Sequence, residues 1–265
     1  LARQKLGQHF LVSGKVLEKI ALAACGSGAG LAVEIGPGRG ALTAALLAHA
    51  ERVLAVELDS LLVQTLRERW LNEPRFEVIQ ADALRVDFSR LGSGVLAGNL
   101  PYYVATAIVS RYLRNPGELR HGVFLVQKEV ADRMVARPGS RDYGYLSVEC
   151  QFLADVELLF QVPPGAFQPP PKVDSAVIRL TPHPRSGTVD PDKFLDFASA
   201  CFRQKRKTLR NNLAGRYARE VLATQAQIMD KRAETLSVDE FVRLHHALTE
   251  SSRREPQETP ESERR

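Results

Sequence analysis

Short, continuously apolar runs alternate with stretches of helical periodicity through the first two thirds of the chain. LAVEIG (31–36), RVLAVEL (52–58), FEVIQA (76–81), GVLAGNL (94–100) and GVFLVQ (122–127) are brief and rich in Val, Ile or Leu. That is the pattern of strands buried on both faces of a parallel sheet. Between them GALTAALLAHA, DSLLVQTLRERW and ATAIVSRYLRN repeat apolar residues at helical spacing. Five strand–helix steps predict an open, doubly wound α/β sheet. VELLFQV (156–162) and KVDSAVIRL (172–180) follow with no helix between them, which predicts an antiparallel hairpin on the sheet edge.

TPHPRSGTVDPDK (181–193) reads as a linker, with prolines on both sides of His183. Beyond it, FLDFASACF and VDEFVRLHHAL carry only helical patterns. The tail SSRREPQETPESERR has no apolar pattern and is expected to be disordered. The division that results is a sheet domain over 1–182, a small all-helical domain over 183–250 and a tail over 251–265. There is no internal repeat.

Composition changes this picture little. A 265-residue chain with 44% hydrophobic content fills one large core and a satellite. A net charge of +5 leans toward polyanionic partners only if the charge is clustered. Cys25, Cys150 and Cys201 are odd in number and form no C-x-x-C pair, which fits reduced thiols rather than a disulfide frame or a zinc site. No apolar run approaches the ~18 residues of a membrane helix. The basic start lacks the apolar block of a secretory signal. A soluble, cytoplasmic monomer is expected, without metal, whose natural start lies upstream of Leu1.

Candidate chemistry lies at successive strand ends. Gly36, Gly38 and Gly40 follow the first strand and let the backbone approach a ligand closely. No Gly-Lys-Ser/Thr follows, and G-x-G-x-G departs from the dinucleotide pattern. By itself the loop is equally a tight strand-to-helix turn. Glu57, ending the second strand, suits both hydroxyls of an adenosine ribose, or else it only opens a helix beside Asp59. Asp82, after the third strand, suits an adenine amine, or else it is an N-cap. Together they predict a nucleoside site without separating a nicotinamide from S-adenosylmethionine.

The fourth strand ends in Asn99-Leu100-Pro101-Tyr102. An adenine N6 lone pair is delocalised into its ring, so the amine is a poor nucleophile. Two acceptors, the Asn99 side chain and the Leu100 carbonyl, suit its N–H groups and direct the lone pair at an electrophile. Pro101 stiffens the turn, and Tyr102 offers a flat face to a base drawn out of its stack.

NLPY resembles the (N/D)PPY-type motif of S-adenosylmethionine-dependent amino-methyltransferases. With KLGQHFL (5–11), EIGPGRGALT (34–43), VQKEVADRM (126–134) and FQPPPKVDSAV (167–177), the chain resembles the ribosomal RNA adenine dimethyltransferases over about residues 3 to 250. The resemblance implies a Rossmann-like methyltransferase sheet with an antiparallel edge hairpin and a small C-terminal helical domain. It implies S-adenosylmethionine as cofactor and dimethylation of two adjacent adenosines near the 3′ end of 16S rRNA during small-subunit biogenesis. It places His9 and Leu11 on the cofactor, Gly36 beside its methionine part, Glu57 on the ribose, Asp82 on the adenine, and Asn99 between cofactor and target. Phe167 becomes a second aromatic wall around the adenine; its own pattern reads as an ordinary core aromatic. Where family members often continue with Asn-Ile-Ser-Thr-Pro, this chain has Tyr103-Val104-Ala105-Thr106-Ala107, losing a hydroxyl and a proline at a helix start. Tyr103 lies beside the movement that a second methylation of the same amine requires.

Between Arg203 and Arg219 stand seven basic residues and no acids: Arg203, Lys205, Arg206, Lys207, Arg210, Arg216 and Arg219. This block, with Arg3, Lys5 and Lys15, predicts a grip on RNA phosphates. Trp70, His245 and His246 sit in helical patterns and read as packing or surface residues. Four rival readings stand beside this one. They are an Erm-type enzyme acting on large-subunit RNA, the mitochondrial transcription-factor branch, a nicotinamide oxidoreductase, and an assembly factor that binds RNA without turnover.

Overall fold

The computed structural model describes residues 9–183 and 189–254. The chain divides into two compact units, Leu1–Val135 with Cys150–Pro184, and Ala136–Glu149 with Arg185–Arg265. The second unit therefore takes Ala136–Glu149, which the sequence pattern assigned to the sheet domain.

In the first unit the chain runs β1 (Phe10–Leu11), α1 (Gly14–Cys25), β2 (Ala29–Ile35), α2 (Ala41–Leu47), β3 (Ala50–Glu57), α3 (Ser60–Arg69) and β4 (Phe76–Gln80). It continues through β5 (Gly94–Asn99), α4 (Ala105–Arg114), β6 (Leu119–Gln127), α5 (Lys128–Val135), α6 (Tyr145–Leu153, of which only 150–153 belong to this unit), β7 (Ala154–Val162), β8 (Phe167–Gln168) and β9 (Ser175–Pro182). Seven strands form one sheet in the order β4-β3-β2-β5-β6-β9-β7. β2 through β6 are parallel neighbours, and β9 runs antiparallel to both β6 and β7. As the sequence pattern predicts, the antiparallel hairpin lies at the edge of the sheet. Its second strand inserts against β6 and pushes the first outward.

Strand order reverses between β2 and β5, so the connections leave that point in opposite directions and open a crevice at the strand ends. Ile20, Leu46, Val53, Val95, Val123 and Val177 fill one core beneath it, and Ala55, Val63, Leu66 and Val78 a second. Each such aliphatic side chain contributes about 1.5–3 kcal/mol by burial. Trp70 joins both cores and stacks on Phe76 at 4.8 Å. It also requires glycine at position 40, where a Cβ would meet the indole at 2.2 Å.

α1 is pinned at both ends, which places the segment before it. At its C-terminus Arg179 Nη2 donates to the Ala23 carbonyl and His121 Nε2 to that of Ala24, both at 2.8 Å. These satisfy carbonyls a helix end leaves free. Ahead of α1, β1 pairs antiparallel with β8, Leu11 opposite Phe167, and Val12 N donates to the Ala166 carbonyl at 2.8 Å.

The second unit contains α7 (Pro191–Cys201), α8 (Leu209–Leu213), α9 (Arg219–Ala223), α10 (Ala226–Met229) and α11 (Val238–Arg254). Asp190 caps α7 through the amides of Asp192 and Lys193, with Pro191 opening the helix. Phe194, Phe197, Phe241, Leu244 and Leu248 form its core, with His245 against both Phe194 and Phe197. His246 lies 3.5 Å from Glu250 on the surface. Residues 251–254, expected to be tail, complete the last turn of α11, and 255–265 lie outside the described residues.

All three cysteines are buried, and none is in a disulfide. Burial pushes the Cys25 thiol up to about 11 and raises that of Cys201 as well, which suppresses the reactive thiolate. An aromatic disulfide reagent at pH 8 is therefore expected to find no fast-reacting thiol in the native protein and three after unfolding. No described helix is long and apolar enough to cross a membrane.

Candidate active site at the β2–β5 crevice

The glycine loop leaves β2 with Gly36, Gly38 and Gly40 all at positive φ (67°, 56° and 78°). A Cβ on Gly36 would meet nothing within 4 Å, so the backbone conformation, not crowding, requires glycine there. The space beside it is open to a ligand. Gly38 packs on the Phe10 ring of the N-terminal segment, over which Arg39 stacks its guanidinium at 4.5 Å.

Glu57 closes the loop from the neighbouring strand. Its Oε2 accepts from Gly38 N at 3.2 Å, and its Oε1 from Leu58 N at 2.8 Å and Asp59 N at 2.9 Å. Three amides thus fix a buried carboxylate at the crevice with lone pairs to spare. Capping of α3 falls to Asp59, which accepts from Leu61 N. Asp82 is half committed: Oδ1 accepts from Leu84 N at 2.9 Å, and Oδ2 lies 3.8 Å from Arg85 Nε.

Glu34 was not singled out by the sequence reading. It is 1% exposed, and Thr43 donates to its Oε2 at 2.5 Å. Burial pushes its carboxyl up to about 8, against the lowering effect of Thr43 and with a further push from the Glu57 charge. A second acid behind Glu57 therefore carries its proton at neutral pH. Nothing in an ordinary strand residue signals this except an acid inside an apolar run.

Asn99 ends β5. Its Nδ2 donates to the His9 carbonyl at 3.4 Å, and since only the nitrogen can donate there, Oδ1 is left as an acceptor with no partner among the described residues. His9 Nδ1 donates to the Pro169 carbonyl at 2.8 Å. The His9 ring stacks on Tyr102 at 5.9 Å and 28°. Tyr102 is held at its other end by Ser175 Oγ, 2.7 Å from its hydroxyl. Leu100 is buried, its amide on the Leu125 carbonyl at 3.1 Å, and Val104 N donates to the Pro101 carbonyl at 3.1 Å. As the lost hydroxyl foretold, Val104 caps α4 with no side-chain bond.

Two expected contacts are placed differently. Phe167 is only 4% exposed, in the core with Leu11 and Val162, and so offers no open face to a base. Leu11 is buried with it, which leaves its backbone rather than its side chain for a ligand. Pairing of β1 with β8 turns both side chains inward. In the second unit, Arg203, Lys205, Arg206 and Lys207 are exposed. Arg210 lies 3.0 Å from Asp230 and Arg216 2.7 Å from Asp196, so two of the seven cations have acidic partners distant in sequence. Lys205 Nζ donates to the Arg141 carbonyl at 3.2 Å. Arg3 and Lys5 lie outside the described residues. Among the described residues, no group of three His, Cys, Asp or Glu side chains is arranged to hold a metal.

A switch-point crevice with a glycine loop, a buried carboxylate and Asn-Leu-Pro-Tyr at the end of β5 defines a methyltransferase that uses S-adenosylmethionine. The sequence model of the ribosomal RNA adenine dimethylase family matches residues 1–250, and the chain belongs to that family. It is 45% identical to the ribosomal RNA small subunit methyltransferase A of Acidobacterium capsulatum, covering 94% of this chain and 92% of the relative. It is 44% identical to the protein of that name from Acidithiobacillus ferrooxidans strain ATCC 23270, over 96% and 97%. Among solved structures, a dimethyladenosine transferase from Plasmodium falciparum aligns at a TM-score of 0.80 with 25% identity, over 92% of this chain and 98% of the other. The 23S rRNA methyltransferase ErmE aligns at 0.69 with 28% identity, over 91% and 99%.

Proposed function

We propose that this enzyme dimethylates N6 of two adjacent adenosines near the 3′ end of small-subunit ribosomal RNA, acting on immature small subunits in the cytoplasm as a monomer. The observation that carries the reading is Asn99, whose amide nitrogen is engaged by the carbonyl of His9, the residue whose ring stacks on Tyr102, while its oxygen has no partner among the described residues. The small-subunit names of the relatives favour this substrate over large-subunit RNA.

Bound S-adenosylmethionine supplies an electrophilic methyl group on its sulfonium. Gly36 and Glu57 suit its methionine and ribose parts, and Asp82, whose Oδ2 has only the exposed Arg85 at 3.8 Å, suits the adenine. Asn99 Oδ1 and the Leu100 carbonyl accept the N–H groups of the target amine and turn its lone pair toward the methyl. Positioning of this kind contributes much of the acceleration without a covalent nucleophile. Tyr102, stiffened by Pro101 and Ser175, stacks on the base. Phe167 would act as a second wall only after leaving the core.

Transfer of labelled methyl to small subunits, large subunits and naked RNA, followed by mapping, tests the substrate. Label on N6 of adjacent adenosines of small subunits is expected; label confined to large subunits overturns the reading. The exposed cations Arg203, Lys205, Arg206 and Lys207 would grip phosphates. Replacing Arg206 and Lys207 by alanine should flatten the slope of log affinity against log salt, by roughly 0.7–0.9 for each phosphate no longer neutralised. An unchanged slope would remove them from the interface.

A further inference from the structure

We propose that Tyr103 forms a stacking platform for the nucleotide flanking the adenosine in the pocket, an inference that rests on the RNA substrate proposed above. Two consecutive tyrosines leave the same tight turn, closed by Val104 N on the Pro101 carbonyl at 3.1 Å, yet they are treated in opposite ways. Tyr102 is half-buried, with its hydroxyl on Ser175 and its ring on His9. Tyr103 is 64% exposed.

An isolated exposed aromatic needs no explanation. This one lies in the turn that follows Asn99, one residue beyond Tyr102, whose hydrogen bond to Ser175 fixes that turn. A held, exposed aromatic face next in the chain to the residues proposed to hold the target adenosine matches the base of a neighbouring nucleotide.

Base flipping explains the need. Drawing an adenosine into a pocket strips a stacking partner from its neighbour and costs a few kcal/mol. An aromatic face at the pocket mouth restores that partner without reading sequence, because every base has a π-face. The phenol hydroxyl plays no part, so phenylalanine should serve as well as tyrosine.

The test measures kcat/KM for methyl transfer to undermethylated small subunits at saturating S-adenosylmethionine, with cofactor affinity read separately on each variant. Tyr103→Ala should lower kcat/KM roughly five- to hundredfold, Tyr103→Phe should stay within about twofold, and cofactor affinity should hold in both. The platform is overturned if alanine keeps the wild-type value, or if phenylalanine loses as much as alanine. Failure of the wild-type protein to label small subunits would instead overturn the substrate assignment.

Discussion

Asn99→Ala is expected to lower kcat for methyl transfer about a hundred- to thousandfold, with RNA binding largely intact. The loss belongs in kcat because the role proposed for the amide is to act on the reacting nitrogen. Without Oδ1 the adenine amine keeps its lone pair delocalised into the ring and presents no directed nucleophile. Removal of one preorganised polar group from a reacting centre costs this much elsewhere. Asn99→Asp separates acceptance from placement. It retains an acceptor oxygen, but its carboxylate cannot donate to the His9 carbonyl that now fixes the amide at 3.4 Å. The two oxygens repel, so an intermediate rate is expected. Single-turnover transfer with RNA affinity measured in parallel checks both. An alanine variant within tenfold of wild type would show that Asn99 does not direct the amine.

The place of Asn99 in the fold was legible in the sequence because it depended on local order. Asn99 ends a continuously apolar run, so strand position and chemistry coincide. The same held for Glu57 and the glycine loop, where strands read as 31–36 and 52–58 form over Ala29–Ile35 and Ala50–Glu57. What stayed hidden depended on pairing across long separations. Two-residue strands carry no periodicity, so the β1–β8 pairing, and with it the inward turn of Leu11 and Phe167, has no local signature. Insertion of β9 between β6 and β7 is a matter of strand order, which a hydrophobic pattern does not encode. Arg210 and Arg216 looked free because their acids, Asp230 and Asp196, lie outside the basic block. Composition within a window counts charges but not partners.

Glu34→Gln is expected to make the protein more stable at pH 8, by several kcal/mol, and to change it little at pH 5. Burial is the cause: the carboxyl sits 1% exposed under the glycine loop and is pushed up to about 8, whereas an unfolded glutamate titrates near 4.3. Between those values the native state holds a proton that the unfolded state has released. Stability contributed by this group is therefore complete below the unfolded value and falls by about 1.4 kcal/mol per pH unit up to the folded value. Glutamine keeps an acceptor for the Thr43 hydroxyl, which donates to Glu34 at 2.5 Å, and has no proton to lose. Burial lowers His121 and His245, which moves stability the opposite way at mildly acidic pH. The quantity to read is therefore the difference between variant and wild type, from urea unfolding at pH 5, 6.5 and 8. A difference that widens with pH supports a protonated acid beside Glu57. A constant one would mean that Glu34 is ionised in the folded protein, with two like charges held beneath the glycine loop.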